Sequence, residues 1–313
     1  MSLIERAAKR LEELRQAGIE IPNGHQPVDY ARPLQNTVTS QESFSNAKKP
    51  GDVAEPATTF TSKMAHPTSQ NRIDLDLAKL ASLGFVTPEM PRTRIADEFR
   101  VLKRPLIANM SSKRAVPIKH GNLVMVTSAV PGEGKTFSAV NLAMSLAMEL
   151  DRTVLLVDAD VARPSLPGIL DFGARKGVLD ALEDRTTDIG NYLLRTNVEK
   201  LTILPSGTPN THATELLASA TMSQLLDDLS VRYADRIIVF DSPPLLVTTE
   251  ARVLATQMGQ IVFVVHAEST LQNDVKRALA MIESCPVKML VLNQVRSVGQ
   301  GSYGYGYGYG YGA

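Results

Sequence analysis

The stretch Ser128-Ala129-Val130-Pro131-Gly132-Glu133-Gly134-Lys135-Thr136 sets two glycines, a lysine and a hydroxyl in an order that grips phosphate. Glycine permits a tight turn whose backbone N–H groups point inward at an anion. At this spacing Lys135 reaches the β- and γ-phosphates of a nucleotide, and the Thr136 hydroxyl ligates Mg2+. The residues expected to hold ATP are therefore Val130, Pro131, Gly132, Glu133, Gly134, Lys135, Thr136 and Phe137. The usual pattern asks for glycine where this chain has Ala129, which is small enough to keep the loop.

Three carboxylates stand at the ends of apolar runs. TVLLV leads into Asp158-Ala159-Asp160, and IIVF leads into Asp241-Ser242-Pro243-Pro244. Asp241 is placed to hold Mg2+ through water, and either Asp158 or Asp160 can take a proton from an attacking hydroxyl. Lys135, Asp158 and Asp160 are the catalytic candidates; Thr136, Asp160 and Asp241 are the metal candidates. Asn293, after the run VKMLVL, is read two ways, as an adenine ligand or as a turn-initiating residue. The chain ends GSYGYGYGYGYGA, so that Tyr303, Tyr305, Tyr307, Tyr309 and Tyr311 alternate with glycine. No packed core needs that pattern, and it offers five flexible hydroxyls.

These groups need elements to carry them. LVMVT (123–127), TVLLVDAD (153–160), LTILPSG (201–207), IIVFDSPP (237–244), QIVFVVH (260–266) and VKMLVLN (287–293) read as strands. None shows polar alternation, as expected of strands covered on both faces. Helical spacing falls between them, over 136–150, near 214–229, over 249–257 and over 273–283. The expected fold is α/β, a doubly wound, mostly parallel sheet with helices on both faces, whose ligands bind at the C-terminal ends of the strands. A further helix over 94–104 carries Ile95, Phe99 and Leu102 as its apolar stripe.

Four segments are expected: an amphipathic helix over 1–20, a disordered linker over 21–72, the nucleotide-binding domain over 73–298 and a flexible tail over 299–313. The linker is rich in Pro, Ser, Thr, Asn and Gln and keeps no period. The chain has 313 residues and a formal net charge of zero, so bulk charge gives no reason to expect nucleic-acid binding. The single cysteine, Cys285, and the lack of a signal-peptide pattern point to a reducing cytoplasm. No apolar run approaches the roughly 18 residues of a membrane-spanning helix, so recruitment to a membrane would come through a partner.

The loop PGEGKT together with LLVDADVARP (155–164) resembles the bacterial tyrosine kinases, the BY-kinases of exopolysaccharide export. The stretches LPSGTPNTHATELLAS (204–219) and FDSPPLLVTTEA (240–251) and the tyrosine tail look like the same family. GFVTPE and EFRVLKRPL (84–106) are similar to the autokinases of PEP-CTERM exopolysaccharide loci. The resemblance covers roughly 92–313. It implies an ATP- and Mg2+-dependent autokinase with the tail tyrosines as acceptors, phosphorylated in trans within a homo-oligomer such as a ring, with Asp158 as first choice of base. It also implies a separate transmembrane polysaccharide co-polymerase as activator, a cognate tyrosine phosphatase, and a place at the inner face of the plasma membrane.

Departures from the family bear on assembly. The family's oligomerisation helix carries Glu-x-x-Arg-x-x-Arg, and here the frame is Asp97-x-x-Arg100-x-x-Lys103. Lysine lacks the bidentate fork of arginine. A solvated helix face is the plainer reading of those charges. Only Arg163 remains of two arginines that often follow the acidic pair, since Ala162 takes the first place. Two rivals stand beside the kinase, a MinD/ParA-type switch ATPase and a non-catalytic ATP-binding scaffold. The MinD/ParA loop reads KGGxGKT, and its signature lysine is replaced here by Val130.

Overall fold

The computed structural model describes residues 71–110, 117–184, 188–233 and 235–296. The helix and linker expected before residue 71, and the tyrosine tail, lie outside the described residues.

Each apolar run becomes a strand, covered on both faces except in the edge run 287–293, where Leu290 and Leu292 are exposed. The strands are β1 (Leu123–Ser128), β2 (Thr153–Asp158), the two-residue β3 (Leu194–Arg195), β4 (Leu201–Leu204), β5 (Arg236–Asp241), β6 (Gln260–His266) and β7 (Val287–Asn293). They form one seven-stranded sheet in the order β3-β4-β2-β5-β1-β6-β7. Every pairing is parallel except that of the edge strand β3 with β4. Alternate residues feed two cores. Val124, Val126, Leu156, Val239 and Val264 face one side; Met125, Leu155, Phe240, Ile261 and Phe263 face the other. The doubly wound expectation holds.

Helices close both faces. On the first lie α1 (Leu77–Ser82), α2 (Arg94–Asn109) and α3 (Lys135–Ala147). On the second lie α5 (Val178–Glu183), α6 (Ala213–Leu217), α7 (Ala220–Arg232), α8 (Thr249–Ala255) and α9 (Gln272–Ala280), while the short α4 (Leu166–Leu170), ahead of α5 in the chain, packs into the first core. The segment read as one helix over 214–229 is two. Ser219 breaks it, taking an extended conformation and accepting the Met222 N–H in its side chain (3.1 Å), which caps α7. Helix α3 is buried nearly all round because it lies between the sheet and α2. Among the described residues no helix is long and apolar enough to cross a membrane.

Helix α2 departs from its expectation in two ways. It starts at a Thr93 cap and runs through Pro105, five residues past the expected end. Proline costs one backbone hydrogen bond there, and the fully buried Leu106 beyond it compensates by packing in the core. Its buried residues are Ala96, Phe99, Lys103 and Leu106, while the expected Ile95 and Leu102 pack half-buried against the same core. The expectation that Lys103 lies at a subunit contact therefore does not hold. Its side chain is 5% exposed, its Nζ donates to the Ser145 carbonyl (2.5 Å), and it pairs with Glu149 at 2.7 Å. A charge taken out of water needs such partners. Asp97 and Arg100 stay exposed and pair with each other along the helix, and Arg100 also donates to the Pro91 carbonyl (3.0 Å).

Replacing Lys103 with alanine strands the Ser145 carbonyl and the Glu149 carboxylate. With Glu149 partly exposed, the loss expected is about 2–3 kcal/mol in urea unfolding, against under about 0.5 kcal/mol for the exposed Asp97→Ala.

Candidate active site

The sheet places the chemistry at one rim. β5 lies between β1 and β2, so the end of β5 meets the phosphate loop on one side and the acidic pair on the other. Register sets Asp241 opposite Val126 of β1 and opposite Asp158 of β2. Asp158 and Asp241 are thus cross-strand neighbours at the mouth of the loop.

The loop turns through two left-handed glycines, Gly132 (φ 84°) and Gly134 (φ 91°). Gly134 has a second reason to lack a side chain: a Cβ there would stand 2.0 Å from the Asn293 amide nitrogen. Ala129 needs no positive φ. It is fully buried, and its carbonyl accepts the Leu246 N–H (3.1 Å), so alanine serves where the pattern asks for glycine.

Glu133 holds the loop in shape. It is 1% exposed. Its carboxylate accepts the Val130 N–H (2.7 Å) and the Thr270 hydroxyl, and that hydroxyl accepts the His266 N–H (3.1 Å). Asn293 donates to the Glu133 carbonyl (2.9 Å). Neither reading of Asn293 from the sequence anticipates this, since its amide braces the loop from the end of β7. Glu133 and Val130 are spent on each other, which leaves the backbone N–H groups nearer Gly134 and Lys135 for phosphate. The Phe137 side chain packs on Phe85, with ring centroids 5.0 Å apart, against the first core. Two partners went unread in the sequence. Thr270 lies 137 residues from Glu133, and Ser165, whose hydroxyl pairs with that of Thr136 (2.9 Å), lies 29 away. No local pattern marks either.

Asp158 and Asp241 are fully buried, and no oxygen of either completes a hydrogen bond with the protein. Burial pushes Asp158 up to about 8, helped by the charges of Asp241 and Asp160, while the Asp160 and Leu166 N–H groups pull weakly the other way without closing a bond. Burial likewise raises Asp241 to about 7, opposed by the nearby Thr136 hydroxyl and Lys135. Asp160 is half-buried and accepts the Arg163 N–H (3.3 Å); desolvation raises it too, and Lys135 opposes. Four orphaned carboxylate oxygens beside a threonine hydroxyl are the donor chemistry a hard divalent cation satisfies. Among the described residues no three His, Cys, Asp or Glu side chains converge to cage a metal alone. The site therefore fits Mg2+ that keeps waters and takes phosphate oxygens among its ligands. Lys135 is buried, and its charge lowers both Asp160 and Asp241.

A phosphate loop at the end of the first strand of a parallel sheet, with acidic strand ends beside it, defines a P-loop NTPase. The family described as ParA, NUBPL iron-transfer P-loop NTPase, matches residues 119–298, and the chain belongs to it. Within that fold the chain is a bacterial tyrosine-protein kinase. It is 30% identical over 183 residues to the tyrosine-protein kinase YwqD of Bacillus subtilis, covering 58% of this chain and 76% of that one. It is 30% identical over 191 residues to the tyrosine-protein kinase CpsD of Streptococcus agalactiae, covering 59% and 82%. Among solved structures the kinase domain of Escherichia coli tyrosine kinase ETK superposes with a TM-score of 0.59 at 25% identity, over 72% of this chain and 86% of that one.

Two outcomes follow from the loop. Gly134→Ala should weaken nucleotide binding, because a side chain is strained at φ 91° and its Cβ would push the Asn293 amide off the Glu133 carbonyl. Thr270→Val removes one partner of a buried carboxylate, an effect on the order of 1–3 kcal/mol; the Michaelis constant for ATP should rise and Thr270→Ser should restore it. The acidic pair sets a pH dependence. Both groups have folded pKa values above the unfolded value of about 4, so the folded chain binds more protons than the unfolded one up to about pH 8. In Mg2+-free, nucleotide-free buffer the melting temperature should fall as pH rises from 5 to 8, and Asp158→Asn should flatten that slope.

Proposed function

We propose that the chain phosphorylates its own tyrosine tail from ATP and so regulates exopolysaccharide synthesis and export. The observation that carries this reading is the meeting of Lys135, the phosphate loop and the unpartnered Asp158/Asp241 pair at the rim from which β7 leads toward the tail. Tyr303 follows Asn293 by ten residues, which extended span at most about 33–36 Å. That length reaches the chain's own site or a neighbour's, and transfer in trans within an oligomer is the reading we favour.

In this mechanism the tyrosine O–H gives its proton to a carboxylate, Asp158 by preference. To accept it Asp158 must be ionised, and positive charge brought into the site would favour that form over the protonated one that burial alone favours. The phenolic oxygen forms a bond to the γ-phosphorus as the bond to the β,γ-bridging oxygen breaks, and ADP leaves with the electron pair. Loop N–H groups and Lys135 stabilise the charge that develops. Thr136, Asp160 and Asp241 would hold Mg2+, which would supply further neutralisation of that charge. The activator would be a separate transmembrane co-polymerase that recruits the chain to the inner face of the plasma membrane, with a cognate phosphatase resetting the tail. Asp97 and Arg100, exposed on α2, are available to a neighbouring subunit, whereas Lys103 is not.

Incubation with Mg-ATP and an anti-phosphotyrosine blot tests the reading. The native chain should label itself and Lys135→Met should not. Phosphate release without labelling would instead indicate a switch ATPase, and neither signal a scaffold. Mixing Lys135→Met with an active chain lacking residues 297–313 separates the routes, since a labelled Lys135→Met tail requires transfer in trans. Single-turnover rates for Asp158→Asn and Asp160→Asn should show the larger loss in the former.

A further inference from the structure

The opposite rim of the sheet carries a second charged cleft. Register sets Arg236, at the start of β5, beside Thr153, at the start of β2. β4 comes next, with Lys200 just ahead of it, and its Thr202 pairs across to Arg195 of β3. Arg72 bridges Arg195 in turn. Neighbouring strands lie about 4.8 Å apart, so the four cations line one cleft, of about 470 Å3. Glu199 is the one carboxylate among its described lining residues.

The bonds these cations already make leave their charge largely uncompensated. Lys200 donates to two neutral carbonyls, those of Glu149 (2.8 Å) and Leu150 (2.6 Å). Arg72 reaches Asp74 only at 3.4 Å, with both side chains well exposed, a weak arrangement. Arg236 donates through Nε to the Thr153 hydroxyl (3.3 Å) and stacks on Tyr233, but its Nη1 is buried without an acceptor. A buried donor left unmade is unfavourable and calls for an explanation. Two arginines directly across paired strands repel as well. An anion seated in the cleft relieves both, with a small swing of the Arg236 guanidinium toward it.

We propose that this cleft binds a phosphomonoester dianion, and that its source is a phosphotyrosine of the chain's own tail. The origin of that phosphotyrosine rests on the autokinase reading; the cleft's chemistry does not. Planar guanidinium forks match the oxygens of phosphate, which carries close to two charges at neutral pH. Five such groups put roughly −8 to −10 on the tail. That charge repels it from Asp158, Asp160 and Asp241 and draws it to the basic rim. The distance allows it. The sheet is about 23 Å deep at a seven-residue strand, and the tail tyrosines follow Asn293 by 10 to 18 residues, at most roughly 33–65 Å. The cleft can therefore hold a spent tail of the same chain or of a neighbour.

The test is calorimetric titration of the phosphatase-treated full chain with a synthetic peptide of residues 301–309 phosphorylated on Tyr305. Saturable binding is expected, at least tenfold weaker for Arg195→Glu and undetectable for the unphosphorylated peptide. Lys135→Met should bind as the native chain does, which separates the cleft from product binding in the active site. Arg195 is exposed, so its substitution keeps the fold; Arg236→Gln, checked by its melting curve, should weaken binding as well. Native-like affinity in Arg195→Glu, or inorganic phosphate binding as tightly as the phosphopeptide, would overturn the proposal. Because the peptide is synthetic, this result stands or falls independently of the autophosphorylation blot.

Discussion

Asp158 and Asp241 face each other across adjacent strands, both out of water and neither hydrogen-bonded. Two such carboxylates are unfavourable in a folded chain unless something positive shares their site. Much of the surrounding structure can be read as the answer to that constraint. β5 is inserted between β1 and β2, which brings the pair to the mouth of the phosphate loop. Lys135 is buried where its charge reaches Asp160 and Asp241. The Thr136 hydroxyl stands between the loop and the segment that follows β2, paired with Ser165. The tension remains until a nucleotide and its cation arrive, and in that sense the protein is folded around the charge of its substrate.

The loop itself is held from the far side of the sheet. β6 and β7 have no catalytic residue at their ends, but they supply Thr270 and Asn293, which grip the side chain and the carbonyl of Glu133. Glu133 in turn takes the Val130 N–H. A residue read as part of the phosphate grip is thus a bracket for the grip. The left-handed Gly134 fits under Asn293 because it has no Cβ.

The sheet, its parallel sense and the loop were legible because long apolar runs, a glycine-rich turn and acidic strand ends are local patterns. The strand ends were overrun at Asp158, Leu204 and Asp241, since loops that return to the core are as apolar as the strands they leave. The edge strand Leu194–Arg195 is too short to show a period. Lys103 misled for a different reason. It shares one stripe with Ala96, Phe99 and Leu106, at spacings of three and four, but charge was read as exposure. The partner that makes its burial possible, Glu149, is 46 positions away. The same holds for Glu133 and Thr270, because pairing between distant segments leaves no trace in either alone.

Helix α3 joins two of these features. Its first residues are Lys135 and Thr136, and just past its last lies Glu149, bound to Lys103 of α2. Thirteen residues at about 1.5 Å each make a rod of roughly 20 Å. It is wedged in a close-packed core that yields little to compression. The Lys103–Glu149 pair, which ties α2 to α3, and the phosphate-gripping end of the loop are therefore opposite ends of one stiff strut. The salt bridge that anchors α2 and the lysine that meets phosphate thus share one rigid body.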